Sequence, residues 1–140
     1  MMWHVQALGL LLAACGLPVA ARAGDAGEIV IANQVVLRIR TGARDVSAAE
    51  RTRIVTRRVV DVLSYEDTQH PDVRIVKTGV DRAIHVGKTL LVTVQESDAK
   101  ANLTTPEALA RVWAANVARE LPHATPVSKL PGFTPEKLNE

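Results

Sequence analysis

Arginines are the residues of this chain whose type and spacing most directly suggest binding chemistry. Between positions 38 and 58, seven arginines face only two acidic residues. Guanidinium groups bind phosphate and carboxylate well, so such a surface suits lipid headgroups or another anionic polymer. The candidate contacts for an anionic ligand are Arg53, Arg57 and Arg58. The alternative interpretation is that these arginines lie on the solvated face of a helix and bind no ligand.

Nucleic acid is not the expected partner of these arginines. The whole chain has 17 Lys and Arg against 15 Asp and Glu, so its charge is nearly balanced. No aromatic residues alternate with the arginines to stack on bases.

Histidines and carboxylates do not form a complete catalytic or metal-binding pattern. The four histidines lie at positions 4, 70, 85 and 123, without the short spacing of a local metal site. His85 lies in a predicted strand, and no nucleophile-elbow glycine pattern accompanies it. Asp98 is expected to accept main-chain amides in the loop after that sheet, with ligand binding as the alternative. We expect no enzyme activity, metal or cofactor, and an enzyme of unknown chemistry is the runner-up.

The N-terminal segment predicts export by one of two routes. Val5 to Ala20 is apolar, but its sixteen residues fall short of the about 20 that span a membrane. Cys15 is the only cysteine and ends Leu12-Ala13-Ala14-Cys15, which resembles a bacterial lipobox. Ala21-Arg22-Ala23 resembles an ordinary signal-peptidase site.

The two sites give different mature proteins. A signal peptide of residues 1–23, cut after Ala23, releases a periplasmic or secreted protein. A lipoprotein signal of residues 1–14 leaves Cys15 acylated and in contact with a membrane through its lipid anchor. The start lacks the basic residues of a usual signal peptide, so Met1 is not fixed as the true start.

Residues 24–121 are predicted to form one domain, because 117 residues after Ala23 suffice for one core and not for two. Glu28 to Arg40 reads as a β-hairpin turning at Ala32-Asn33-Gln34. Ser47 and Glu50 predict a capping box for a helix that ends near Tyr65.

Three further strands and a second helix complete the domain. The predicted strands are Val73 to Thr78, Ala83 to Val86 and Thr89 to Val94, in a tight meander. Thr105 and Pro106 open the second helix. Its predicted apolar stripe consists of Leu109, Val112, Trp113, Val117 and Leu121. Residues 122–140 are rich in proline and predict a flexible tail.

These elements predict an α+β fold. A hairpin and a three-strand meander supply about five strands of one small antiparallel sheet, with two helices packed on one face. The core must be aliphatic, because Tyr65, Trp113 and Phe133 are the only aromatic residues after Ala23.

Several short segments occur in the order found in a known family. They are Val36-Leu37-Arg38-Ile39-Arg40, Ala49-Glu50-Arg51, Val86-Gly87, Leu91-Val92-Thr93-Val94, Ser97-Asp98-Ala99 and Glu107-Ala108-Leu109-Ala110. Over about Ile29 to Leu121 the chain resembles the extracytoplasmic domain that precedes the channel in some bacterial small-conductance mechanosensitive-channel proteins. We expect no channel part here, since no later apolar stretch is long enough to span a membrane. The resemblance implies a non-enzymatic accessory, sensory or assembly module and no catalytic residues.

The sequence therefore predicts a non-enzymatic, exported protein of the bacterial cell envelope whose domain binds or senses an envelope or membrane protein. Binding of anionic envelope polymer or lipid headgroups through the arginines is a further alternative. The oligomeric state is left open.

Overall fold

A computed structural model of the chain describes residues 27–127. The elements in chain order are β1 (Glu28–Ile31), β2 (Gln34–Arg38), α1 (Ala48–Tyr65), β3 (Val73–Thr78), β4 (Asp81–Val86), β5 (Thr89–Val94), α2 (Glu96–Ala101), α3 (Pro106–Glu120) and a 3₁₀ helix (Leu121–His123). None of the helices in this range is long and apolar enough to cross a membrane. The predicted processing sites at Cys15 and Ala23 lie outside the described residues.

The α+β class is confirmed, and so are the hairpin and the meander. The five strands form two antiparallel sheets, β1-β2 and β3-β4-β5, and not the single sheet predicted from the sequence. Helix packing explains the division. Helix α1 contacts β1 and β5, while α3 contacts β2, β3 and β4, so the helices join the two sheets where strand pairing was expected.

The hairpin turns through two residues with positive φ. Ile31 pairs with Gln34, and Ala32 and Asn33 between them have φ of 49° and 65°. Positive φ at both central positions defines a type I′ turn, whose twist matches that of the flanking strands. The predicted turn is therefore present, with Gln34 already in the second strand.

Helix α1 begins where predicted, but only one of the two hydrogen bonds of the predicted capping box forms. The Ser47 hydroxyl accepts a hydrogen bond from the main-chain N–H of Glu50 at 3.1 Å. The Glu50 carboxylate does not return this bond, and instead lies 2.6 Å from Nη2 of Arg53. A charge-assisted contact one turn along the helix thus replaces the second half of the predicted capping box.

The core is one aliphatic cluster between the two sheets and the two long helices. Its fully buried members include Val55, Ile84, Leu91 and Val117, and Trp113 packs among them with 4% of its surface exposed. Each buried aliphatic side chain contributes about 1.5–3 kcal/mol relative to exposure. Burial therefore holds α1 as a helix despite its many β-branched residues.

The predicted stripe on α3 was wrong at one position. Val112 is 56% exposed, whereas Ala110 and Ala114 are buried. At about 100° per residue the buried arc is centred near Trp113 and Ala114, and Val112 falls outside it. Small alanines lie against the sheets, and an exposed valine faces outward.

The chain remains packed for several residues beyond α3. The 3₁₀ helix follows at once, and Val127 is 7% exposed. Residues 128–140 of the predicted tail lie outside the described range.

Candidate binding groove

A shallow groove runs between strand β2 and helix α3, and we define the groove by the residues that line it. It has a cavity volume of about 190 Å³. Its lining residues are Val35, Val36, Leu37, Arg38, Arg40, Asn102, Leu109, Val112, Trp113 and Asn116. The floor is apolar, while the rim carries two arginines and two asparagines.

The exposure of the two apolar residues Val35 and Val112 in the groove has a local explanation for each. Val35 follows the type I′ turn and is 37% exposed, and Val112 lies off the buried stripe of α3. Leu109 and Trp113 on the same helix are buried beneath them. The groove therefore exposes two aliphatic side chains to solvent above a packed floor.

One main-chain edge of β2 faces away from β1. Ile39 donates its N–H to the Gly27 carbonyl at 2.7 Å, and Glu28 is the partner of Arg38 in the register. Antiparallel ladders alternate between bonded and non-bonded pairs, so the main-chain N–H and C=O of Arg38 point away from β1. Within residues 27–127, no side chain or loop main chain bonds to them.

Asn116 closes the groove at the end near the turn. Its side-chain Nδ2 donates to the Val36 carbonyl at 3.1 Å. This bond ties α3 to β2 and occupies the main-chain edge just before Arg38. The accessible edge therefore begins at Arg38.

A buried ion pair fixes the chain directly after β2. Arg51 donates to both carboxylate oxygens of Asp98, each at 2.6 Å, and the two side chains are 8% and 0% exposed. Thr41 Oγ1 and the Gln95 N–H also donate to Asp98, both at 2.9 Å. Arg51 further donates to the carbonyls of Thr41 at 3.1 Å and Thr93 at 2.6 Å. We call these five residues the clamp.

The clamp is a structural device, and its carboxylate is fully used. Four donated hydrogen bonds saturate the two oxygens of Asp98, in keeping with the rule that buried charges are paired and hydrogen-bonded. Asp98 does accept a main-chain amide as predicted, but from Gln95 before it and not from the following loop. The clamp joins α1, β5 and the start of α2 to the segment that follows β2, next to the groove.

Sequence reasoning missed the clamp, although a signal was present. Arg51, Val55 and Val59 follow one another at intervals of four residues, so Arg51 lies on the same buried face of the helix as the two valines. A single arginine on an apolar helix face predicts a buried acidic partner. Counting Arg51 among the solvated arginines hid this pattern.

The three arginines predicted to contact an anionic ligand have different surroundings. Arg53 pairs with Glu50 and is exposed. Arg57 is exposed, and no ion pair of residues 27–127 includes it. Arg58 is half-buried and donates to the Leu91 carbonyl at 3.4 Å. Burial lowers the pKa of Arg58 from its ordinary value, and the nearby charge of Asp61 opposes this effect.

His85 lies in the centre of the meander, paired across strands with Arg74 and Leu90. It is half-buried, and within residues 27–127 no hydrogen bond joins it to Asp98, whose carboxylate oxygens are already occupied in the clamp. Among residues 27–127, no group of three or more His, Cys, Asp or Glu side chains is placed to hold a metal ion.

Leu103 is an exposed leucine held in a left-handed conformation beside the groove. Its φ is 53° and its surface is 96% exposed. The N–H of Leu103 bonds to the Lys100 carbonyl and that of Thr104 to the Ala99 carbonyl, at 3.1 and 3.0 Å. These two bonds form a Schellman motif, in which this position is usually glycine. The preceding residue, Asn102, lines the groove.

A larger cavity of about 420 Å³ lies at the hairpin turn, between Val30, Leu63 and His123. Its wall reaches Thr125, close to the end of the described range. Every side of the groove lies well inside residues 27–127, and the groove also combines exposed apolar groups with positive charge. It is therefore the better-defined candidate.

Comparison with known proteins gives a match to a protein family. A family model described as "Domain of unknown function (DUF8459)" matches residues 28–124. No curated protein and no solved structure matched the chain. The matched range includes every residue of the groove and of the clamp.

Proposed function

The chain belongs to the DUF8459 family, a domain of unknown function, and from this premise we propose a non-enzymatic binding domain that holds a partner protein in the groove. The observation that carries the proposal is the exposed pair Val35 and Val112 above an apolar floor, bordered by Arg38 and Arg40. Apolar groups beside convergent polar groups are typical of recognition sites.

The cellular setting belongs to the same proposal. The N-terminal segment supports an exported protein of the bacterial envelope that is periplasmic, secreted or anchored through Cys15. The resemblance to the extracytoplasmic domain of mechanosensitive-channel proteins supports an accessory, sensory or assembly role near the membrane. The mass of the mature N-terminus from host cells tests the setting, because acylated Cys15 and free Gly24 give different masses.

The groove is a stronger candidate than the arginine face of α1. In that face the charge of Arg53 is offset by Glu50, and Arg58 is turned onto the β5 main chain. Exposed ion pairs and half-buried guanidinium groups have fewer free donors for a ligand. Arg57 alone among the three predicted contacts is both exposed and without an ion pair inside the described range.

Site-specific photocrosslinking in the host tests the proposal. A photoreactive residue replaces Val112 in the groove or, as the control, Val80 in the β3–β4 turn, where the exposure is 72%. We expect a discrete adduct at position 112 that is absent at position 80. The captured protein must then bind the purified chain and lose that binding with Val112→Glu.

The opposite results would reject the proposal. Equal adducts at both positions would indicate nonspecific contact. Binding of the purified partner that survives Val112→Glu would place the interface elsewhere.

A further inference from the structure

We propose that the partner segment is an extended, acidic stretch of polypeptide that adds as a strand to the free edge of β2. The inference rests on the proposed function and specifies its chemistry. Strand addition uses main-chain hydrogen bonds for affinity and alternate side chains for specificity. The free edge, the arginines and the apolar floor each supply one part of this mode.

The first part is an open main-chain edge. At the outer strand of the meander, the carbonyls of Leu91 and Thr93 in β5 already accept bonds from Arg58 and Arg51 of α1. At β2 the Val36 carbonyl is occupied by Asn116, but the N–H and C=O of Arg38 point outward. The main-chain groups that β2 offers to a partner strand are therefore those of Arg38, its last residue.

The second part is positive charge along the same edge. Arg38 and Arg40 alternate with the buried residue Ile39, so their side chains share the solvent side. Arg40 is exposed and has no ion pair inside residues 27–127. Arg38 has an internal partner, because its Nε lies 2.8 Å from the Glu28 carboxylate. Carboxylates on alternate residues of a partner strand would match this spacing.

The third part is the apolar opening between Val35 and Val112. A residue of the partner strand beside Arg38 that points toward α3 would meet Val112, above Leu109 and Trp113. The cavity of about 190 Å³ is small, which favours one aliphatic side chain. The matching segment alternates acidic and aliphatic residues.

Glu28 makes this inference specific. Because Glu28 already pairs with Arg38, it competes with a carboxylate of the partner. Glu28→Gln should therefore tighten binding, whereas Arg40→Gln should weaken it. A general effect of the substitutions on stability or folding would not change the binding affinity in opposite directions for these two variants.

The test uses labelled peptides and the mature full-length chain in fluorescence anisotropy. The probe is the designed peptide Asp-Val-Glu-Val-Asp, compared with Lys-Val-Lys-Val-Lys and with an acidic peptide that is N-methylated at its central residue. N-methylation removes one main-chain donor and leaves the charge unchanged. Arg57→Gln is the matched control for Arg40→Gln, since both arginines are exposed.

The expected result is binding of the acidic probe and at least tenfold weaker binding of the basic one. N-methylation should weaken binding about two- to tenfold, the range for one net hydrogen bond. Arg40→Gln should weaken binding about two- to fivefold and Glu28→Gln strengthen it similarly, as expected for exposed charge pairs. Arg57→Gln should leave binding unchanged.

Four outcomes would overturn the inference. Equal binding of the acidic and basic probes refutes the charge match, and equal binding of the N-methylated probe refutes strand addition. Binding to vesicles with anionic headgroups that depends on Arg40, without peptide binding, would assign the surface to a membrane. Self-association lost with Val112→Glu in analytical ultracentrifugation would assign it to a second copy of this chain.

The two proposals can fail separately. If no peptide binds while crosslinking at position 112 still identifies a verified partner, strand addition is wrong and the binding function stands. If the crosslinking at position 112 also fails, both are rejected.

Discussion

Removing the Asp98 carboxylate should destabilise the domain more than any surface change. Asp98→Ala leaves the guanidinium of Arg51, in a side chain only 8% exposed, without its ionic partner. It also leaves the Gln95 N–H without its acceptor, and leaves Thr41 Oγ1 with only the longer bond of 3.3 Å to Ser97 Oγ. Breaking a buried ion pair from one side costs about 3–5 kcal/mol.

This loss is large relative to the stability of a domain of this size. Small domains have about 5–15 kcal/mol in total, so Asp98→Ala would remove a large fraction. For domains of about 100 residues, 1 kcal/mol shifts Tm by about 4–8 °C, so a loss of about 3–5 kcal/mol predicts a fall of roughly 12–40 °C. Asp98→Asn keeps the shape and one acceptor oxygen, so its effect should be smaller.

Urea unfolding of the mature chain measures the change. Trp113 is buried in the core, so its fluorescence reports loss of packing. Glu50→Gln is the matched control, because it removes an exposed ion pair with Arg53 and should cost at most about 1 kcal/mol. A double variant, Arg51→Met with Asp98→Leu, should recover most of the loss, since an apolar replacement of a buried pair is often neutral.

Two results would refute this reasoning. A loss below about 1 kcal/mol for Asp98→Ala would mean that the pair is solvated and not buried. A double variant as unstable as the single one would mean that packing at these positions, and not an uncompensated charge, determines the cost.

Three further predictions concern the strained leucine, an acid-sensitive ion pair and the groove. Leu103→Gly should stabilise the domain by about 1 kcal/mol in urea unfolding, because glycine adopts positive φ without a steric penalty; Leu103→Ala keeps that penalty, and an equal gain from it would contradict the explanation. Hydrogen bonding to Arg82 lowers the pKa of Glu107 from 4.5, so its stabilisation is present above the unfolded pKa and is lost as pH falls through the folded pKa. The Tm difference between wild type and Glu107→Gln should therefore shrink between pH 7 and pH 3, and a constant offset would refute the linkage. Val112→Glu should leave Tm within a few degrees because Val112 is 56% exposed, and a large loss measured by calorimetry would show that the groove is part of the core.

Local sequence signals predicted most of the elements. Thr105 accepts a hydrogen bond from the Ala108 N–H at 3.2 Å, and Pro106 is the first residue of α3, as their residue types indicate. The meander strands begin or end within two residues of the predicted bounds. Caps and tight turns depend on neighbouring residues, so one sequence contains enough information for them.

Long-range packing was not predictable in the same way. The division into two sheets depends on where α1 and α3 lie, and the α2 helix forms where a loop was expected. The clamp joins Arg51 to a carboxylate 47 positions away. The groove exists only because β2 and α3 meet, so no local motif in either segment announces it.

The contact between α1 and β5 also has a consequence for behaviour at high concentration. Because Arg51 and Arg58 occupy the outward carbonyls of that strand, the meander cannot extend there by pairing with another molecule. On its opposite side β3 exposes Arg74 and Lys77, charged residues of the kind that discourage edge-to-edge aggregation. Loss of α1 packing would uncover the edge of β5, so partial unfolding of this helix is the expected first step of aggregation. Light scattering of Arg58→Ala under mild heating, compared with Arg57→Ala, would reveal that step as earlier particle growth in the first variant only.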